Sequence, residues 1–319
     1  ELSIPDQKKL AENLGRSVTG STLVFLGAML AREGKATGAA PSQITGEGPR
    51  DRAMWEEQGK LPNAVNIGGK WVQIANISPP GMLISLGAQM YNAAQNAETP
   101  AGAIAGAAFT IPRIALDQSF LRGVSGALET VNDPGRFGER FAENTVGSIV
   151  PAGVAAIARG VDPVVRQPDG MMETIQSRIP GLSKNVSPRI KPFGDVATRE
   201  GGFFGNTLNP LRTQTASDDP LLAEMERLGL APRVAAKSYK SRGETIKRTP
   251  QEQREFQAAY GQRQKELLRI GLNDPRLKRF GATDEDRKDI GEKAQSAAYR
   301  FAKANEVSKR GQPLLAGRR

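Results

Sequence analysis

The sequence predicts a mainly α-helical chain, extended and made of many segments. One small β-hairpin is expected over about residues 63–77, and a long irregular segment over about 182–217. Three observations predict this. Hydrophobic residues make up 38% of the 319 and aromatics 5%, under the roughly 45–50% apolar content usual for globular domains, so material for one thick core is short. The 35 Gly and 21 Pro interrupt the chain often, and Pro cannot continue a helix. Between those breaks the apolar residues recur mostly at helical spacing, and they alternate clearly in one place only. A thin helical chain of this kind is expected to need partner subunits to cover its apolar faces.

Five regions follow in order. Residues 1–45 form an N-terminal apolar helix region. The opening Glu1–Arg16 is polar and mixed in charge, unlike a signal peptide, and a start at Glu1 is read as a fragment, a processed product or an ordered part of a longer polypeptide. Residues 17–31 are uncharged between Arg16 and Arg32. They fall short of the roughly 20 a simple membrane span needs, which favours a protein-buried helix over a membrane-contacting one, ending near Gly34 and Gly38.

Residues 46–81 read as a helix plus hairpin unit. Arg50–Gly59 is a short helix with Pro49 near its first turn and Gly59 at its stop. Val65 and Ile67 alternate before Gly68-Gly69, and Trp71, Gln73 and Ala75 alternate after it. A Gly-Gly pair supplies the positive φ that a type I′ turn needs. Ser78-Pro79-Pro80-Gly81 closes the unit.

Residues 82–181 form a small-residue helical region. Met82–Asn96, Pro100–Pro112, Arg113–Leu128 and Arg136–Arg159 read as helices, with a kink near Pro151 and a stop at Asp162-Pro163. Gly102 and Gly106 give a GxxxG spacing, read mainly as an ordinary small-residue packing face because the apolar stretch around it is short. Met171–Arg178 is a short amphipathic helix.

Residues 182–230 read as an irregular docking segment followed by a short helix. Pro188, Pro192 and Pro210 and the glycines Gly194, Gly201, Gly202 and Gly205 break it, and a loop this long is unusual unless it serves a function or lies along a surface. Phe193, Phe203 and Phe204 favour docking, and with Trp55 and Trp71 they are the candidate subunit-docking residues. Asp218-Asp219-Pro220 caps a helix that Gly229 stops.

Residues 231–319 form a basic helical C-terminal region. Thr249-Pro250-x-Glu252 predicts a capping box opening a helix to about Ile270. Thr283–Ser308 repeats the scheme with three acids in its first turn. Residues 1–230 hold 22 Lys/Arg and 23 Asp/Glu, a net of −1, while 231–319 hold 22 and 11, a net of +11. Two patches stand out. Lys237, Lys240, Arg242, Lys247 and Arg248 surround Tyr239; Arg276, Lys278 and Arg279 sit beside Phe280. Phosphate backbones attract such clusters without regard to base sequence. Ordinary solvated helix faces are the competing reading; contact with DNA or an anionic surface is the functional one.

The chain contains no Cys and no His, which removes thiolate nucleophiles, Cys-based zinc sites and imidazole acid–base chemistry. Gly201-Gly202-Phe-Phe-Gly205 lacks the strand–turn–helix setting of a dinucleotide fingerprint. Glu56-Glu57 reads as a solvated helix face. No catalytic residue, metal site or cofactor is expected in this stretch, and the chain is read as non-enzymatic.

Several segments together resemble one family. They are Gly27–Gly38, the block Gly46–Ile84, Val161-Asp162-Pro163-Val-Val-Arg166, Ile179-Pro180-Gly181-Leu182, Ser187-Pro188-Arg189-Ile-Lys-Pro-Phe-Gly194, Asn209-Pro210 and the helix end Glu224–Gly229. Their order is similar to the C-terminal portion of large internal virion (DNA-ejection) proteins of tailed bacteriophages. The resemblance spans roughly residues 20–270 and rests on pattern and order. It implies a structural protein held in the virion interior, then placed in the host periplasm and cell envelope after ejection. There it would oligomerise into part of a DNA-translocation conduit. Implied partners are further copies of itself, other phage ejection, portal or tail proteins, DNA through the basic C-terminal region, and the host membrane. The alternative is a membrane-associated or membrane-inserting helical channel or scaffold without enzymatic activity.

Overall fold

The computed structural model describes residues 4–41, 48–74, 77, 79–95, 152–207, 211–241, 244–275, 277 and 281–311. The expected helices over 100–112 and 113–128, and the part of 136–159 before residue 152, lie outside these residues. The fold is mainly helical with small antiparallel sheets, as the sequence predicts. The chain folds as two compact units. The first is Glu1–Ala40, Lys60–Ser148 and Leu208–Ala216; the second is Pro41–Gly59, Ile149–Thr207 and Ser217–Arg319.

The first unit joins a helix pair to a three-stranded sheet. Helix α1 spans Ile4–Arg32 and α3 spans Pro80–Gln95. They pack where glycine permits: a Cβ on Gly27 would collide with the Ile84 carbonyl, and one on Gly87 with the Val24 carbonyl. The sheet has strands β1 (Ala64–Ile67), β2 (Lys70–Gln73) and β3 (Thr213–Thr215), in that order and all antiparallel. Ile67 pairs with Lys70 across Gly68 and Gly69, whose φ values of 59° and 78° are those of the expected type I′ turn. Trp71 stands between Asn66 and Gln214 in register and packs with Leu61, Ala64 and Ala216. Residues 35–38 extend the sheet past β1. The Thr37 hydroxyl donates to Leu61 O at 2.6 Å and accepts from Ala64 N at 3.0 Å.

The second unit holds α2 (Gly48–Glu57), α4 (Ala152–Val161), α5 (Met171–Gln176), α6 (Gly202–Thr207), α7 (Pro220–Arg227), the hairpin β4 (Ser238–Ser241) and β5 (Glu244–Lys247), α8 (Pro250–Leu272) and α9 (Asp284–Gly311). Residues 46–81, expected as one helix-plus-hairpin unit, are thus shared between the two units. The reason is packing: Met54 of α2 joins the core of the second unit, whereas Trp71 joins that of the first.

The helix caps follow the sequence. Asp219 caps α7 by accepting from Leu221 N at 3.1 Å. Thr249 and Glu252 complete their capping box at α8. Thr283 and Asp286 exchange the same pair of bonds at α9. Each satisfies N–H groups that a helix start leaves unpaired.

Two features differ from expectation. The second hairpin, β4–β5, is unannounced in the sequence. The stretch 182–217 is also more ordered than expected. Within it are a 3-10 turn at Leu182–Asn185, α6 and β3, and single bridges tie it to the chain before: Val164 to Thr198 and Arg166 to Pro188, with Ile190 to Val196 closing a loop. The loop turns through Lys191–Gly194, where Gly194 has φ 89°. This turn lies on α8 at Gly261, because a Cβ there would strike the backbone of Pro192–Gly194.

The α8–α9 pair encloses an extended strap, residues 230–235. Its main chain is bonded by glutamine side chains. Gln295 Nε2 donates to Ala231 O at 2.8 Å; Gln264 accepts from Arg233 N at 2.8 Å and donates to Arg233 O at 3.3 Å. Gln257 accepts from Ala235 N, and Gln253 donates to Ala235 O, both at 2.7 Å. Alternate strap residues are thereby paired as in a sheet edge, with amides in place of a neighbouring strand.

Candidate basic interface and an arginine-lined cleft

The basic patch around Tyr239 is built on β4–β5 and the start of α8. Lys237 and Lys247 are exposed and stand together at the open end of the hairpin, where Ser238 pairs with Lys247 and Arg248 N donates to Lys237 O at 2.9 Å. Lys240 lies in β4. Arg242, Arg276, Lys278 and Arg279 lie outside the described residues.

Arg248 is a correction. Its side chain is 0% exposed, and it cannot reach a phosphate backbone in this fold. Its guanidinium bonds Glu306 of α9 through Nε at 2.9 Å and Nη2 at 2.8 Å, and donates to Ala236 O at 2.6 Å. It also lies 3.8 Å from the Phe256 ring centroid and 4.7 Å from that of Tyr239, in cation–π range. Burial works against its charge, but hydrogen bonds to Glu306 and Tyr299 outweigh that and hold its pKa above the usual arginine value. Other arginines of the region are also engaged: Arg263 with Glu266, Arg269 with Asp219, and Arg287 with Glu224. The net charge of +11 therefore overstates the cationic surface.

The aromatic docking candidates divide in the same way. Phe193 is 1% exposed and Trp71 3%, each inside its own unit's core, so neither can dock another subunit from this fold. Phe193 is drawn in by the turn on α8, and its N–H donates to the Glu57 carboxylate at 2.7 Å. Trp55 is partly exposed. Phe203 and Phe204 of α6 are exposed, Phe204 by 72%, and meet edge to face at 5.5 Å. Residues 17–31, read from the sequence as a protein-buried helix, instead leave Val18, Phe25, Leu26 and Met29 of α1 exposed, Phe25 by 67%.

Glu56-Glu57 is not the solvated face expected. Glu57 is buried, and burial pushes its pKa up despite the Phe193 N–H bond and the nearby Lys191 and Lys265. Glu56 pairs with Arg189.

The second unit also contains a cleft of about 250 Å³ beside α4. Arg159, Arg166, Arg178 and Arg199 line it, with Asp162 and Ser183. Asp162 is buried. It accepts from Arg166 Nε at 2.8 Å, Arg166 Nη2 at 3.1 Å, Ser183 Oγ at 2.9 Å and Val164 N at 3.2 Å. Burial alone would raise its pKa; the bonds from Arg166 and Ser183 bring it below the usual aspartate value. Arg166 also donates to Val186 O at 2.9 Å, which fixes the bridged loop against the end of α4. Segments 161–166 and 187–194 meet in this bridged loop.

Among the described residues no cluster of metal-ligating side chains occurs, and no helix is long and apolar enough to cross a membrane. Comparison with known protein families, characterised proteins and solved structures finds no match for this chain.

Proposed function

We propose that this chain is a structural component of a bacteriophage virion, an internal ejection protein that self-associates into part of a conduit for DNA across the host envelope. What supports the reading is the order of segments along the chain, which resembles that of such proteins. The exposed apolar stripe Val18, Phe25, Leu26 and Met29 on α1 supports the self-association. Scattered apolar residues are normal on a surface, whereas several gathered on one helix suit contact with another chain. Lys237 and Lys247 support a weak, sequence-independent contact with DNA.

The test is the oligomeric state of the purified chain by mass photometry and electron microscopy, without detergent. A closed ring of defined stoichiometry that Phe25→Asp with Met29→Asp disperses is the expected result. A monomer at all concentrations that sediments only with liposomes would replace the conduit by a membrane-surface scaffold.

A further inference from the structure

We propose that the exposed face of α1 pairs with the same face of a second copy, the two helices antiparallel about a two-fold axis at Thr22. The pairing rests on the self-association put forward above and names its geometry. A two-fold contact joins copies in pairs and leaves ring closure to another surface.

Spacing defines the face. Gly15, Val18, Thr22, Phe25 and Met29 recur at alternating intervals of three and four residues, the seam spacing of paired helices. All five are exposed. The contact with α3 lies on the other side of α1, where Gly20 faces Leu83, Val24 faces Gly87 and Gly27 faces Ile84. The seam is the side turned away from α3. Its polar groups tolerate cover. Thr19 Oγ1 donates to Gly15 O at 2.9 Å and Thr22 Oγ1 to Val18 O at 2.8 Å. Covering these threonines strands no hydroxyl proton, which keeps the penalty for burying them small.

Shape and charge select the antiparallel arrangement. Pairing about Thr22 sets Val18 against Leu26, Thr19 against Phe25 and Gly15 against Met29 of the second copy. A hollow of about 580 Å³ lies beside Gly15 and Thr19, walled by Gly20, Leu23, Pro79, Pro80 and Leu83. A Cβ on Gly15 would meet nothing within 4 Å. The large Phe25 and Met29 side chains of the second copy arrive at this hollow, and symmetry repeats the fit at the other end. Glu12 and Arg32, both exposed, lie ten residues to either side of Thr22. Antiparallel pairing brings each against its opposite, and parallel pairing brings like against like.

The chain has no Cys, so one introduced thiol reports one position. Thr22→Cys of the full chain, treated with a short bis-maleimide, should give a covalent dimer. Ser17→Cys, exposed on another side of α1, should not. Gly15→Cys and Met29→Cys should cross-link when mixed and not alone, with a circular dichroism melt to check that each is folded. In sedimentation equilibrium, Glu12→Arg or Arg32→Glu should weaken pairing about fivefold, the scale of two exposed ion pairs per dimer, and the two changes together should restore it. Cross-linking of Gly15→Cys or Met29→Cys alone would make the pair parallel and overturn the proposal. Oligomers that form while Thr22→Cys stays uncross-linked overturn this contact and leave self-association standing. A chain that is monomeric at every concentration removes both.

Discussion

Arg248 and Glu306, 58 residues apart, meet through two hydrogen bonds that tie the start of α8 to α9. The pair is buried between Tyr239, Phe256 and the α9 helix. Breaking a buried ion pair by removing one partner costs up to about 3–5 kcal/mol. Arg248→Ala should therefore lower the denaturation midpoint of the chain strongly. Arg248→Lys should not restore it, since a lysine cannot make the two-point bond or stack on Phe256 as a plane. A midpoint unmoved by Arg248→Ala would refute the pair's role.

The α1–α3 contact predicts opposite outcomes for two glycines of one helix. Gly27→Ala drives a methyl group into the Ile84 backbone and should cost about 1–3 kcal/mol, as overpacking does. Gly15→Ala meets nothing within 4 Å and should stabilise by up to about 1 kcal/mol, the helix preference of alanine over glycine. Urea melts of the two variants decide the matter; equal effects would mean that the helices do not meet at Gly27.

Glu57 supplies a pH dependence with a definite sign. Burial raises its pKa in the folded chain above the ordinary 4.5, so between those two values the folded state holds the proton more often than the unfolded one. Stability from this group is present below pH 4.5 and falls as pH rises through the folded value. Glu57→Gln keeps an oxygen to accept the Phe193 N–H without the buried charge. It should flatten that part of the profile and raise, not lower, the thermal midpoint at pH 7. A drop at pH 7 would show that the charge itself is needed.

Lys237 and Lys247 should account for much of the DNA binding that the hairpin provides. Replacing both by Ala should reduce the slope of log affinity against log salt by about 1.4–1.8, at roughly 0.7–0.9 per phosphate contact. Fluorescence anisotropy with duplex and single-stranded DNA measures it. An unchanged slope removes the hairpin from the DNA interface.

Local chemistry was legible in the sequence where a few adjacent residues decide the outcome. Thr249-Pro250-x-Glu252, Asp219-Pro220 and Gly68-Gly69 each specify a cap or turn within four positions, and all three form. The β4–β5 hairpin was not legible, because Ser238–Lys247 is mostly polar and only Tyr239 opposite Ile246 carries an apolar signal. Arg248 reads as surface charge because its partner is far along the chain. The arginine cleft is harder still: its residues are spread from Arg159 to Arg199 and converge through isolated bridges that have no period to detect. Phe193 reads as an aromatic meant for a partner's surface, yet the turn that carries it lies on α8 of its own unit.

The strap at residues 230–235 tolerates change unevenly along its length. Gln253, Gln257, Gln264 and Gln295 grip its main chain and ignore its side chains. Val234 is exposed and contributes nothing to that grip. Sequence drift at Val234 is cheap, whereas Leu230, Ala231 and Ala235 are buried in the core, and a single glutamine-to-leucine change strands main-chain donors or acceptors in a closed groove. The groove thus behaves as a receptor for a peptide backbone whose ligand happens to be covalently attached.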